Sequence, residues 1–290
     1  MNKKIFIVQT VLIVLLLLVL LVIIANPYDV GSKIIESIRP ETQIYLEYGD
    51  VFPEIEFTGS SGNVIHGLQN RSEFTVITYL SDSCSTCIDV LSDFERFSEV
   101  FGNGINYTIL WYDNIPLSYL EKYSIDESIN YSLNRTRIST STPTFYILDD
   151  NNKIIFRDIK RENLFKKMIE LELVPSETLR QNANQYIKNN YFDSDSKRNQ
   201  LVYFYMPGCS DCEAADALLK SSSLSQELDI VYIYKSDTLD DSKIVDKDKL
   251  YANVYGVIWY PSFLVLTETG FKFVGETPMD ALLDELKPYS

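Results

Sequence analysis

The stretch Phe74–Cys87, FTVITYLSDSCSTC, decides the fold, and the same plan returns at Leu201–Cys212, LVYFYMPGCSDC. Each stretch opens with a run of β-branched and aromatic residues, which is typical of a buried strand. A short loop follows, and a Cys-x-x-Cys pair then begins a segment with apolar residues at helical spacing. The sequence therefore predicts the order strand, cysteine pair and helix, twice.

The segments after each cysteine pair also follow one order. A second strand is predicted over Ile105–Trp111 and over Ile230–Tyr234, and a proline then leads into a hairpin at Thr144–Phe156 and at Phe263–Val274. The last helices are predicted over Leu164–Leu173 and Met279–Leu286. The copies share architecture with little residue identity, and they predict an α/β chain with two mixed sheets flanked by helices.

Two helix patterns carry more detailed expectations. Apolar residues recur at helical spacing from Ile88 to Phe101, which predicts a helix that starts at Cys84. In the second copy, Ala214, Ala217 and Leu218 are expected on the buried face of the helix that Cys209 begins.

The spacing of the cysteines suits thiol–disulfide exchange. Two cysteines three positions apart at a helix start lie on one face, close to the distance that a disulfide needs. Free backbone N–H groups and the helix dipole favour a thiolate at the first position, and the thiolate is the nucleophile. Cys84 and Cys209 are therefore the candidate nucleophiles, while Cys87 and Cys212 would resolve the mixed disulfide.

Carboxylates near the cysteines predict a reducing character. Asp211 lies between the cysteines of the second pair, and Asp82 and Glu213 lie close to one pair or the other. A nearby negative charge opposes thiolate formation. A destabilised thiolate favours the disulfide form of the protein, so the pair gives up its electrons more readily.

The first 25 residues predict a membrane anchor. Lys3 and Lys4 precede an apolar run from Ile5 to Ala25, which is long enough to span the hydrocarbon core. The run ends without the small-x-small pattern of a cleaved signal peptide, which is the alternative. The positive-inside rule places the N-terminus in the cytoplasm. Residues 26–41 would then be a tether, and the domains would be extracytoplasmic.

Composition excludes one class of partner. The 290 residues carry a net charge of −15, whereas nucleic-acid binding requires clustered basic residues. All four cysteines belong to the two pairs, so none is left for a separate cross-link. A single zinc site made by both pairs is an alternative, as is a static disulfide at either pair. We predict neither a metal nor a bound cofactor.

These motifs resemble the thioredoxin superfamily. Residues 42–175 and the anchor before them resemble the TlpA/ResA-like membrane-anchored thiol–disulfide oxidoreductases. The matching features after the anchor are Pro53–Leu68, CSTC and STPTFYILDD at Ser141–Asp150. Residues 201–290 resemble thioredoxin modules of bacteriocin-export accessory proteins, through FYMPGCSDC, YGV and YPSFLVL. Residues 176–200 would form a helix, about Ser176 to Asn189, and a linker.

The resemblance implies substrate-binding loops with a cis proline beside each cysteine pair. The matching residues are Thr142 with Pro143 and Tyr260 with Pro261. The chain departs from the family in two respects. An aromatic residue usually precedes the first cysteine, where this chain has Ser83 and Gly208. Thioredoxins also carry a buried aspartate six residues before the first cysteine, where this chain has Thr78 and Tyr203.

The function implied is that of a bacterial enzyme, a thiol–disulfide oxidoreductase that reduces protein or peptide disulfides. Its electrons would come from a membrane electron donor or a partner thiol protein. The departures favour a specialised partner over a broad substrate range. One alternative is a thioredoxin-fold binding module for peptide export or maturation, with structural disulfides. Another is a peroxiredoxin-like peroxidase, although Ser81 occupies the position of that family's threonine.

Overall fold

The computed structural model describes residues 41–68, 73–102, 105–193, 196, 198–235, 244–267, 270–275 and 280–290. Its strands are β1 Thr42–Gln43, β2 Glu56–Gly59, β3 Val64–His66, β4 Thr75–Leu80, β5 Asn106–Trp111, β6 Asn130–Ser132, β7 Thr136–Arg137, β8 Thr144–Leu148, β9 Ile154–Asp158, β10 Asn199–Tyr205, β11 Leu228–Tyr234, β12 Ile244–Val245, β13 Ser262–Thr267 and β14 Gly270–Gly275.

The helices fall between or after groups of these strands. They are α1 Ser85–Ser92, α2 Phe94–Phe101, α3 Leu117–Lys122, α4 Arg161–Glu170, α5 Ser176–Tyr191, α6 Ser210–Ser221, α7 Leu224–Glu227, α8 Leu250–Tyr255 and α9 Leu282–Leu286, with 3₁₀ turns at Glu127–Ile129 and Lys287–Tyr289. The predicted mixed α/β class is confirmed.

The first sheet has the strand order β3-β2-β6-β5-β4-β8-β9. β4 lies inside it, parallel to β5 and antiparallel to β8. All six residues of β4 are buried, because the strand has neighbours at both edges and packed elements on both faces. The first cysteine pair follows directly at the carboxyl end of this strand.

The second sheet has the order β12-β11-β10-β13-β14. β10 is parallel to β11 and antiparallel to β13, so it occupies the place that β4 has in the first sheet. The second cysteine pair follows at its carboxyl end. The predicted order of strand, cysteine pair, helix, strand and hairpin is thus confirmed for both copies.

Helix α5 joins the two halves of the chain. Leu179, Ala183 and Ile187 are buried on one of its faces. The Asn182 side chain donates to the Val100 carbonyl at 3.1 Å, while Lys188 Nζ donates to the Thr267 carbonyl at 3.0 Å. The helix expected over residues 176–189 is therefore confirmed. It contacts α2 in the first half of the chain and β13 in the second. The proposed domain boundaries stay a prediction.

A buried arginine holds α2 against the second sheet. Arg96 is 7% exposed, and it donates to the Val245 carbonyl at 2.7 Å and pairs with Asp93 at 3.1 Å. Asp246 is buried next to it and accepts the backbone N–H groups of Tyr251 and Ala252. Burial raises the pKa of Asp246, and the Arg96 guanidinium acts in the opposite direction.

From Gln43 to Ser290 the chain forms one compact unit.

Both detailed helix expectations need correction. The helix expected from Cys84 to Phe101 is broken at Asp93, whose backbone leaves helical geometry (φ −99°, ψ 4°). In α6 the buried face is Cys212, Ala215 and Leu219, whereas Ala214 and Ala217 are exposed. The burial of Cys212 decides which face turns inward, since residues at i+3 and i+7 follow it onto the core side.

The predicted anchor, residues 5–25, lies outside the described residues. Within the described ranges, no helix combines the length and the apolar character needed to cross a membrane.

Candidate active sites at the two cysteine pairs

The first pair is closed as a disulfide at the start of α1. Cys84 and Cys87 have their Cα atoms 5.3 Å apart. Cys84 has extended backbone (φ −100°, ψ 111°) and acts as the helix N-cap, with its Sγ accepting the Cys87 N–H at 3.2 Å. Cys84 is half-buried, while Cys87 has no exposed surface. An incoming thiolate or disulfide can therefore reach Cys84 more easily than Cys87.

The second pair repeats this geometry at the start of α6. The Cα atoms of Cys209 and Cys212 are 5.2 Å apart in a disulfide. Cys209 has φ −91° and ψ 114°, and its Sγ accepts the Cys212 N–H at 3.1 Å. Cys209 is half-buried and Cys212 is fully buried. An N–H that points at the sulfur stabilises negative charge on it when the disulfide is open.

Each pair lies against a loop with a cis proline. The Thr142–Pro143 and Tyr260–Pro261 peptide bonds are both cis. Cys84 Sγ lies 3.4 Å from the Thr142 carbonyl oxygen, and Cys209 Sγ lies 3.7 Å from that of Tyr260. The structure thus places each predicted loop beside the cysteine pair for which it was predicted. Their roles in catalysis stay predictions.

The two proline loops present different surfaces. At the first site a polar network holds the loop: Ser139 and Thr144 share a hydrogen bond of 2.9 Å, and Thr144 donates to the Ser141 carbonyl at 2.6 Å. At the second site the loop carries exposed apolar side chains, with Ile258 77% and Trp259 63% exposed. Ser139 and Thr144 are themselves buried, and the exposed residues of the first loop are the polar Thr140 and Ser141. The loop surface is therefore polar at the first site and apolar at the second.

Hydroxyl groups occupy the two positions where thioredoxins bury an aspartate. Thr78 shares a hydrogen bond with the Tyr107 hydroxyl, and burial raises the pKa of Tyr107 to about 12. Tyr203 donates its hydroxyl to the Cys212 carbonyl at 2.6 Å. Burial, and to a lesser degree Asp216, raises the pKa of Tyr203. Neither site therefore has an ionised base at that position at neutral pH.

The sequence indicated positions 78 and 203 but not their partners. Asp216 is half-buried on α6, one turn after Cys212, and accepts the Tyr232 hydroxyl at 2.7 Å. Tyr107 and Tyr232 come from the neighbouring strands β5 and β11, and no local pattern marks them.

The structure bears on one alternative and one prediction from the sequence. Each cysteine pair forms its own disulfide on its own sheet, which contradicts the alternative of one four-cysteine zinc site. Asp82, Asp211 and Glu213 are all exposed, so water and salt screen their effect on the cysteines. These carboxylates are therefore expected to lower the reduction potential of the pairs only slightly.

Comparisons with known proteins give structural likenesses only. No family model matches the sequence, and no curated protein matches it. A domain of a possible thiol-disulfide isomerase from Cytophaga hutchinsonii is 20% identical, with a TM-score of 0.37, and covers 44% of this chain and 95% of its own. A thio-disulfide isomerase from Thermus thermophilus is 16% identical, with a TM-score of 0.33, and covers 43% of this chain and 96% of its own. A thiol-disulfide oxidoreductase from Bacteroides fragilis is 17% identical, with a TM-score of 0.36, and covers 42% of this chain and 99% of its own.

Proposed function

We propose that this chain is a membrane-anchored, extracytoplasmic thiol–disulfide oxidoreductase with two thioredoxin-like domains in tandem, which reduces disulfides in proteins or peptides. The apolar run at residues 5–25 supports the anchor, and the two lysines before it support a cytoplasmic N-terminus. The sheet order and the position of each cysteine pair support the two domains.

One observation carries the proposal. At both sites a half-buried cysteine caps a helix, receives a backbone N–H on its sulfur and lies beside a cis-proline loop, while its partner cysteine is fully buried. A purely structural disulfide has no need for this division between an accessible and an inaccessible sulfur. Thiol–disulfide exchange requires it, because the substrate must attack or be attacked at one sulfur only.

The reaction follows from that division. With the first pair reduced, the Cys84 thiolate attacks a substrate disulfide, forms a mixed disulfide and releases one substrate thiolate. The Cys87 thiolate then attacks the Cys84 sulfur, which releases the second substrate thiol and leaves the Cys84–Cys87 disulfide seen in the structure. Two electrons and two protons pass to the substrate. Cys209 and Cys212 would perform the same steps at the second site.

Each cycle leaves an oxidised pair, so a reductant must restore the dithiol. No thiol pool outside the cytoplasm supplies electrons continuously. We therefore propose that a membrane electron donor or a partner thiol protein reduces the chain. The carboxylate inside the second pair, Asp211, favours the reductase direction there.

Trapping of mixed disulfides tests the proposal. Cys87→Ser and Cys212→Ser remove the resolving thiols, so each variant is expected to accumulate covalent adducts with disulfide-containing substrates that disappear on reduction. The matched controls are Cys84→Ser and Cys209→Ser, which remove the nucleophiles and are expected to trap nothing at their own sites. If neither resolving-cysteine variant forms adducts, the function fails and the rival binding module with static disulfides is favoured.

A further inference from the structure

A groove of about 620 Å³ opens beside the first cysteine pair. Thr86, which lies between the two cysteines, and Pro143 line one end of it. Its sides come from α1, from the start of α4 and from the segment Val245–Asp248, which begins with the last residue of β12 in the second sheet. The second half of the chain thus supplies one wall of a groove that begins at the first site.

Arg161 fixes this wall in place. Its side chain is 10% exposed. Its Nε donates to Asp248 Oδ2 at 2.7 Å, its Nη2 donates to Asp93 Oδ2 at 2.6 Å, and its Nη1 donates to the Val90 carbonyl at 3.2 Å. One guanidinium therefore connects the helix α1, which carries Cys87, and the turn after it to the segment Val245–Asp248.

Two further contacts hold the same segment. Lys249 Nζ donates to Glu162 Oε1 at 2.5 Å, and the buried Arg96 donates to the Val245 carbonyl. Three cations thus connect the two halves of the chain around the groove. The side chains of Arg161 and Arg96 are only 10% and 9% exposed, so water screens their contacts little, whereas Lys249 and Glu162 are 34% and 38% exposed and contribute less. The two arginines therefore make the groove a preformed feature of the first site.

We propose that the segment Val245–Asp248 is part of the substrate-binding surface of the first cysteine pair, and that the groove holds the polypeptide next to the substrate's cysteine. This inference rests on the proposed function. A substrate joined to Cys84 continues as a chain on both sides of its own cysteine. On the side of Thr86 and Pro143, that chain enters the groove.

The lining suits a peptide better than a small disulfide. Aliphatic side chains, Val90, Ile159 and Val245, alternate with the charged side chains of Asp89 and Lys160. The volume lies within the range of about 300–1,000 Å³ that ligand sites occupy. A small symmetric disulfide would reach Cys84 without entering the groove, so the second half of the chain would select for polypeptide substrates.

Cross-linking tests the position of the bound chain directly. The probe is a synthetic peptide with one cysteine and a benzophenone side chain a few residues away, on one side or the other, trapped as a mixed disulfide on full-length Cys87→Ser, Cys209→Ser, Cys212→Ser protein. Irradiation and mass spectrometry are expected to place cross-links in residues 245–248 for one of the two peptides. Trapping with cross-links confined to residues before 176 would overturn the inference and leave the proposed function intact.

Kinetics give an independent readout. Lys247→Trp fills the groove from an exposed position, in a chain whose second pair is Cys209→Ser, Cys212→Ser. We expect KM for a disulfide-linked peptide dimer to rise about tenfold, while the reduction rate of bis(2-hydroxyethyl) disulfide is unchanged. Lys166→Trp, at an exposed position of α4 that does not line the groove, is the matched control.

The outcomes separate the two proposals. If the parent chain reduces neither disulfide, the proposed function fails. If it reduces both and Lys247→Trp behaves like Lys166→Trp, the groove has no role in substrate binding. If Lys247→Trp lowers both rates equally, the effect is structural, and the inference is overturned.

Discussion

The first and second cysteine pairs begin their helices with nearly the same backbone angles and the same N–H to sulfur contact, but their surroundings differ. Cys84 lies between a polar proline loop and a groove that the other half of the chain completes. Cys209 lies beside a loop whose Ile258 and Trp259 are exposed. The geometry of the sulfurs is repeated, whereas the surfaces that would meet a substrate are not.

This difference indicates that the chemistry and its selectivity are set by separate features. The Cys-x-x-Cys spacing and the helix cap act within four residues, so duplication preserves them. The surfaces around the two pairs come from distant segments, and these differ between the two sites. Each prediction below therefore alters a residue that belongs to one site and compares it with its counterpart or with a control.

The largest effect is expected at Arg96, which holds the groove wall beside the first pair. Arg96→Met leaves the Val245 carbonyl and Asp246 without their cation, and is expected to lower the free energy of unfolding by about 3–5 kcal/mol. Urea denaturation of the oxidised protein measures it. Arg198→Met, at an exposed ion pair, is the control and should change stability by less than about 1 kcal/mol. Equal effects would contradict the role given to Arg96.

A smaller loss is expected beneath the second pair. Tyr203→Phe removes the hydroxyl that donates to the Cys212 carbonyl, at a cost of about 1–2 kcal/mol in unfolding free energy. Thr78→Val is the counterpart at the first pair, where the hydroxyl contacts Tyr107 and not a cysteine. Only Tyr203→Phe should also change how fast the resolving cysteine opens a mixed disulfide, as stopped-flow kinetics can measure. A similar kinetic change in Thr78→Val would remove this distinction.

Alkaline pH should destabilise the surroundings of the first pair. Burial raises the pKa of Tyr107 from 10.0 to about 12, so the unfolded chain loses that proton at a lower pH than the folded chain. The stability from this group is complete below pH 10 and is lost as the pH rises towards 12, by about 2–3 kcal/mol. Unfolding free energies measured across this range should fall less steeply in Tyr107→Phe. An unchanged slope would show that Tyr107 does not contribute.

The smallest effect is expected from the residue between the cysteines. Asp211→Thr removes a carboxylate from the second pair, and Thr86→Asp introduces one into the first. Because the position is exposed at both sites, alkylation of the first cysteine at neutral pH should change by about two- to fivefold, faster in Asp211→Thr and slower in Thr86→Asp. High salt should reduce both changes. Shifts of the same sign in the two variants would contradict an electrostatic origin.

The sequence by itself determined the mixed α/β class, the repeated order of elements and the position of each cysteine pair at a helix start. Those features depend on hydrophobic periodicity and on groups within about four residues of one another. The same periodicity placed Ala214 and Ala217 on the buried face of α6, which was wrong. Periodicity alone does not say which face of a helix a neighbouring sheet will cover.

Only the tertiary structure decided what surrounds the sulfurs. Arg161 and Asp248 are 87 residues apart in the chain, yet their contact closes the groove beside Cys84. The Tyr203 hydroxyl meets the Cys212 carbonyl because β10 passes beneath α6. Such pairings follow from how whole elements pack, and the residues involved carry no local signature. The sequence could therefore locate the two cysteine pairs, and the packing of distant segments made their surroundings different.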